Sequence, residues 1–328
     1  FNELTTEDRI YQGDYKKWIK FANSLKLRIA IRISNAVPEY AQEKAEEAVS
    51  HPYGVMDSND CDAYDNITAT NYKNGLASVN SWGEVRANAC IVSFMNGYQD
   101  PRCEAYFTKS SASGDYDYIG VRSGIQGITT SMFSTYSTVK VETKTPMLIF
   151  NAAEVAFLRA EGALKKWNMG GTAEEFYKEG IRLSFNEHGI SGADAYIANN
   201  TNVPADYICP LNAAYNYTNP CKLTVAWDKT GANADEDNLQ RILTQKMIAN
   251  FPIGNETWAD FRRTGYPAVF PAHDNLSTQG VTKERQQRRL RFSEDEYNSN
   301  GANVTEACTF LSNGQDTDAT DLWWAKKD

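Results

Sequence analysis

The chain has 328 residues, 41% of them hydrophobic, enough for a sizeable core in one large domain or two small ones. Its formal net charge of -9 repels phosphate backbones and anionic lipid, which argues against nucleic acid as a partner. No apolar run approaches the about 20 residues that a membrane helix needs. Phe1-Asn2-Glu3-Leu4 reads like the interior of a longer chain, so a preceding part with any targeting signal is expected.

Asp14 to Ser34 is the first strong helix pattern. Trp18, Ala22, Leu25, Ile29 and Ile33 share one face, Lys16, Lys20 and Arg28 fall elsewhere, and Asp14 is placed to cap the start. Pro38 opens a second helix to about Ser50, and the two read as a helical hairpin. His51 to Asn88 is polar, rich in Asn, Asp and Tyr, and long for a loop. Ala89 to Asn96 suits another helix, and Gln99-Asp100-Pro101-Arg102 a turn. Tyr106 to Lys144 looks irregular, with β-prone pieces such as Ser137–Thr143.

A clearer hairpin follows. Asn151 with Glu154, and Thr172 with Glu175, have capping-box spacing on either side of Gly170-Gly171. In the second helix Phe176, Tyr177, Gly180, Ile181 and Ser184 align, and Gly180 lets a neighbouring helix approach closely. His188 suits the helix end as a cation and Gly189 the left-handed cap. Ser191 to Asp237 is again polar and aromatic. A helix through Leu239, Ile242, Leu243 and Met247 ends at Pro252, Trp258 to Arg263 forms one or two short turns, and the rest looks irregular. The fold class is therefore mainly α, with tetratricopeptide-like helical hairpins and long irregular loops. Residues 1–328 read as one domain, with the scaffold at about 14–50, 146–190 and 237–263 and ligand-binding loops at about 51–145 and 191–236.

Catalytic motifs are absent. His51, His188 and His273 lack metal-ligand spacing, and no HExxH, GxSxG or GxxxxGK[ST] occurs. The six cysteines form no CxxC pair; Cys209 and Cys221 flank one loop and can close it as a disulfide or stay as free buried thiols. Asp57, Asp60, Asp62 and Asp65, and likewise Asp235, Glu236 and Asp237, are crowded enough to hold a structural calcium, but neither set has the full calcium-loop pattern; solvated loop charge is the preferred reading. Arg288, Arg289 and Arg291 precede Glu294, Asp295 and Glu296, which suggests local ion pairs.

The loop aromatics carry the remaining signal. A flat ring covers the C–H face of a sugar at low entropic cost while neighbouring Asn, Asp and Arg bond its hydroxyls. The candidates are Tyr64, Tyr72, Trp82, Tyr116, Tyr118, Tyr215, Tyr217 and Trp227; the plainer alternative for each is packing against its own loop. The rivals to glycan binding are an α-helical glycoside hydrolase, which needs two converging carboxylates, and a tetratricopeptide-type peptide-binding adaptor.

Several stretches resemble one family. Tyr11–Ser34 (YQGDYKKWIKFANSLKLRIAIRIS), Phe94–Phe107 (FMNGYQDPRCEAYF), the paired helices of Pro146–Ile190, Trp258–Pro267, Arg288–Asn300 and Trp323-Trp324 are similar, in order, to SusD-like (SusD/RagB) outer-membrane lipoproteins of Bacteroidetes. The family is longer at its N-terminus, where its lipidated cysteine sits, and Ser293 stands where it typically has proline. The resemblance implies a non-catalytic protein, without cofactor, that is held on the outer membrane's extracellular face by an N-terminal lipid anchor outside this chain. It would catch oligosaccharide and pass it to a SusC-like TonB-dependent transporter. The matched motifs are scaffold, so no ligand residue carries over.

Overall fold

The computed structural model describes residues 5–325; Phe1-Asn2-Glu3-Leu4 and 326–328 lie outside the described residues. In chain order the elements are α1 (Tyr15–Ile33), α2 (Pro38–Ser50), β1 (Ala63–Asp65), α3 (Gly75–Ser81), α4 (Ala89–Tyr98), α5 (Cys103–Tyr106), β2 (Met147–Phe150), α6 (Ala152–Leu164), α7 (Ala173–Glu187), α8 (Ala193–Ile197), α9 (Ala234–Ala249), α10 (Gly254–Thr264) and α11 (Glu294–Cys308). Asp14 caps α1 through Lys16 and Lys17, and Thr172 with Glu175 completes a capping box on α7. At Asn151 half of the expected box forms: its side chain accepts from the Glu154 amide, while the Glu154 carboxylate turns inward. The hairpins α1–α2 and α6–α7 pack together through α1 and α6, and α9 lies across α6 and α7. The antiparallel pair β1–β2 ties the 51–74 loop to the start of α6.

α1 buries a different stripe from the one its apolar residues suggest. Ser24, Leu27, Ala30 and Ile31 face inward, whereas Ile29 is exposed and Trp18 partly so. The reason is Arg28. Its Nε and Nη2 donate to the buried Glu154 carboxylate at 2.9 and 2.7 Å, and its guanidinium lies 3.6 Å from the centre of the Phe150 ring. The inward stripe therefore contains a serine and an arginine, which an apolarity pattern does not count.

The Glu154 pair opens a buried ionic network across four helices. Lys246 of α9 lies 3.4 Å from Glu154 and 2.9 Å from Asp260 of α10. Arg263 of α10 donates to both oxygens of Glu161 in α6, at 2.6 and 2.8 Å, and lies 3.4 Å from Asp260. Glu256 of α10 pairs with Arg32 and lies 3.7 Å from Arg28. Arg28, Arg32, Lys246 and Arg263 face Glu154, Glu161, Glu256 and Asp260 in this set, and the partly exposed Lys165 lies 3.8 Å from Glu161 at its edge. Burial pushes the pKa of Glu154 upward, but Arg28 and Lys246 outweigh it and hold that pKa below the usual carboxylate range.

A second buried centre is Arg102, from the Asp-Pro-Arg turn. It bonds Asp100 at 2.9 and 2.6 Å, Ser184 of α7 at 2.9 Å and Gln245 of α9 at 2.9 Å. Gly180 meets the expectation of close approach: a Cβ there would sit 2.7 Å from the Phe157 ring of α6.

Other expectations are corrected. The Trp258–Arg263 turns belong to the 11-residue helix α10, and α11 occupies part of the stretch read as irregular. The β-prone piece at Ser137–Thr143 makes only a bridge, Phe107 to Val139, and the strand forms at Met147–Phe150 instead. Arg288, Arg289 and Arg291 pair with Asp321, Asp316 and Asp318, not with the acids that follow them, because the C-terminal segment folds back over them. His188 is no helix-end cation: burial lowers it to about 4. Of the two readings left open for Cys209 and Cys221, the structure has the free buried thiols, and all six cysteines are free.

Lys246→Met leaves two buried carboxylates short of a cation. It is expected to lose about 3–5 kcal/mol of stability in urea unfolding. Gly180→Ala, which overpacks the α6–α7 contact, is expected to lose about 1–3 kcal/mol in the same assay.

Candidate functional site

Exposed rings on a fixed loop are the first feature of the surface. Asn74 caps α3, and its side-chain amide donates to the Thr145 carbonyl at 3.0 Å; Asn80 donates to the Val139 carbonyl at 3.1 Å. Lys144 donates to the carbonyls of Thr70 and Tyr72 at 2.5 and 2.9 Å. These bonds fix α3 on the 139–145 segment and leave Trp82 at its end 67% exposed and Tyr72 before it 62% exposed. The Arg9 guanidinium covers the Tyr72 ring at 5.2 Å.

The remaining candidates divide. Tyr116 is exposed and Tyr118 half-buried, and both line a hollow of about 180 Å³ with Ser93, Asn96, Asp115 and Asp206. The other four have their rings or hydroxyls engaged within the protein. Tyr64 donates its hydroxyl to Glu187. Tyr215 meets His273 edge-on at 5.1 Å, and Tyr217 sits between Phe270, at 4.7 Å, and the Arg122 guanidinium, at 4.5 Å. Trp227 packs on the buried ring of Tyr177 at 5.3 Å. The structure thus brings Tyr116 and Tyr118 together in one hollow and places Tyr72 and Trp82 at the two ends of α3.

Two larger hollows contain residues that the aromatic-loop pattern did not select. One, of about 600 Å³, is bounded by Tyr15, Trp18 and Ile149, with Asp8 and the Arg9–Asp65 pair beside them. The other, of about 650 Å³, lies between the end of α9, α10 and the 269–287 segment, with Phe251, Trp258 and Phe270 in its wall. Sequence reading assigned Trp18 and Trp258 to the scaffold because each sits in a helix or a scaffold-like motif. The usable signal was exposure on a helix surface, which needs the rotation of the helix about its axis.

Tyr64 has a structural task. Asp62 accepts from the Ala152 amide at 2.6 Å and from Asn59 at 2.9 Å, while Asn59 also donates to the Leu183 carbonyl at 3.1 Å. Glu187, the last residue of α7, accepts from Tyr64 and from Asn151 at 3.1 Å. Together these bonds clamp the 59–65 segment onto the α6–α7 hairpin. Burial, and then the nearby Asp62, raise Glu187 from 4.5 to about 8; burial raises Asp62 from 3.8 to about 6. Of the crowded acids, Asp57 holds Lys20 at 2.5 Å and Asp65 holds Arg9. Among the described residues no three His, Cys, Asp or Glu side chains converge as a metal site would require.

A profile of the SusD-like family, described as Susd and RagB outer membrane lipoprotein, matches residues 1–325. The chain belongs to that family. A SusD-like protein from Bacteroides thetaiotaomicron is 49% identical with a TM-score of 0.94, over 100% of this chain and 68% of its own. A SusD homologue from Bacteroides uniformis is 43% identical with a TM-score of 0.89, over 98% of this chain and 67% of its own. A chitin-binding SusD homologue from Flavobacterium johnsoniae is 40% identical with a TM-score of 0.92, over 99% of this chain and 67% of its own. No curated protein matches significantly. The chain thus spans about two thirds of the length of these solved relatives.

The clamp has a pH signature. Glu187 and Asp62 hold protons more tightly folded than unfolded, so their stabilisation is complete below about pH 4 and is lost as pH rises through about 6 and then about 8. In urea titrations the unfolding midpoint is expected to fall between pH 5 and pH 8.5. Glu187→Gln should flatten that fall; an undiminished fall in the variant would refute the assignment.

Proposed function

We propose that the protein is a non-catalytic glycan-binding protein of the outer-membrane surface that hands oligosaccharide to a SusC-like TonB-dependent transporter. The observation that carries the reading is the pair of open rings, Trp82 and Tyr72, 67% and 62% exposed on a loop fixed by hydrogen bonds at both ends of α3. A ring held rigidly in water stacks on a sugar with little loss of entropy. Tyr116 and Tyr118, with Asp115, Asp206 and Asn96 around them, offer a second ring surface with acceptors for hydroxyl groups. Family membership supports the carbohydrate ligand, and the chitin-binding relative makes N-acetylglucosamine polymers the first to test. Attachment by a lipid anchor accords with the family's description as outer-membrane lipoproteins.

A hydrolase finds less support. Asp62 and Glu187 have the raised pKa values of a candidate acid–base pair, yet neither lines any of the three hollows. Arg9 holds Asp65, and Lys222 holds Asp206, below the usual carboxylate range, the wrong direction for a general acid.

The test is affinity electrophoresis against a polysaccharide panel headed by soluble chitin derivatives, with a reducing-end assay alongside. Retardation without new reducing ends is expected; failure to bind any member, or steady release of ends, contradicts the proposal. Trp82→Ala is expected to weaken retention about five- to tenfold, the worth of about 1 kcal/mol of stacking. Its melting temperature should stay within about 2 °C of the parent's, as for other exposed positions.

A further inference from the structure

We propose that the groove between α10 and the 269–287 segment is a second saccharide site, built for a short neutral oligosaccharide; this rests on the glycan-binding reading above. Its volume of about 650 Å³ lies within the about 300–1,000 Å³ typical of small-molecule sites.

Three rings in its wall are locked from behind. Phe251 stacks on Tyr106 at 4.9 Å. Trp258 is backed by the Arg262 guanidinium at 3.6 Å, and its indole N–H donates to the Gln287 carbonyl at 3.1 Å. Phe270 rests on Tyr217 at 4.7 Å. Rings fixed in this way cannot fold into the groove to fill it, so the apolar surface they present stays available to an occupant.

The polar groups decide the class of occupant. Of the residues lining the groove only Lys283 and Asp318 are charged, and they are opposite in sign, so the wall as a whole has no preference for an ion. The rest of the polar wall is amide and hydroxyl, Thr257 and Ser277 among them. Asn250, which caps the C-terminus of α9 and also lines the groove, is 1% exposed, and neither its side-chain oxygen nor its nitrogen has a hydrogen-bond partner in the protein. An amide with an unmet donor and an unmet acceptor is costly to bury. A hydroxyl group can meet both demands, because it donates and accepts; an acyl chain meets neither. Locked rings, a neutral amide and hydroxyl wall and an orphaned amide together describe a saccharide, with its C–H faces on the rings and its hydroxyls on the wall.

The experiment is titration calorimetry with four trisaccharides, of N-acetylglucosamine, glucose in α- and in β-linkage, and xylose. The wild type is compared with Ser277→Trp and Thr257→Phe, which block the groove from two sides, and with Trp82→Ala. Ser277 is exposed and Thr257 half-buried, so two independent blocking variants guard against misfolding; circular dichroism melts confirm the fold of each. With whichever trisaccharide binds, the wild type is expected to show the groove site beside at least one other, each blocking variant to lose the groove site, and Trp82→Ala to retain the site that the blocking variants lose. A single site, or two or more sites untouched by both blocking variants, overturns the groove assignment and leaves the glycan-binding reading standing. No binding of any trisaccharide by the wild type, together with no retention on any polysaccharide, overturns both.

Discussion

The structure depends on a set of charges that have been taken out of water. Glu154 and Glu161 of α6 are buried in the core against Arg28 from α1, Lys246 from α9 and Arg263 from α10. Desolvation makes each ion costly alone, so the cations and carboxylates must arrive together. The consequence is positional: four helices from three separate stretches of the sequence are held at separations set by ion-pair and hydrogen-bond lengths. A purely apolar interface would tolerate sliding between helices; this one penalises it, since any shift uncovers a buried charge. Arg102 does the same for the Asp-Pro-Arg turn, α7 and α9.

That rigidity is what the loops use. The segment before Tyr72 is tied to the α6–α7 hairpin through Asp62, Asn59 and the Tyr64–Glu187 bond, and α3 is tied to the 139–145 segment through Asn74 and Asn80. Trp82 and Tyr72 therefore project from a loop whose backbone is already ordered, and a ligand of the proposed kind stacking there would not have to supply that ordering energy. In the α9–α10 groove the same logic applies to Trp258, which α10 carries and Arg262 supports. Arg262 and Arg32 also lie over the Trp324 ring, so Trp324 joins α1 to α10.

Much of the scaffold was legible in the sequence because its determinants are local. Asp14, Pro38 and Thr172 begin helices where their side-chain chemistry requires, and Gly180 marks a close helix contact that its Phe157 neighbour makes plain. Three things were hidden, each for a physical reason. The inward face of α1 includes Ser24 and Arg28, which periodicity of apolar residues cannot find. The partners of Arg288 and Arg289 come from Asp321 and Asp316, far along the chain, rather than from the adjacent acids. Among the aromatic candidates, sequence could not separate Tyr64 and Trp227, whose groups are engaged inside, from Trp82 and Tyr72, which face water. Composition gave the kind of side chain a sugar site uses, while only the fold decides which rings remain open.

The central claim is that a fixed helical frame presents open rings to saccharide and does not itself move or react. Hydrogen–deuterium exchange, run with and without a polysaccharide that the protein retains, tests it most directly. The account predicts slowed exchange confined to the Tyr72–Trp82 region and the other ring-bearing loop surfaces, with the amides of α1, α6 and α9 unchanged. Protection centred on the buried Asp62–Glu187 region, or a general change across those helices, would contradict it.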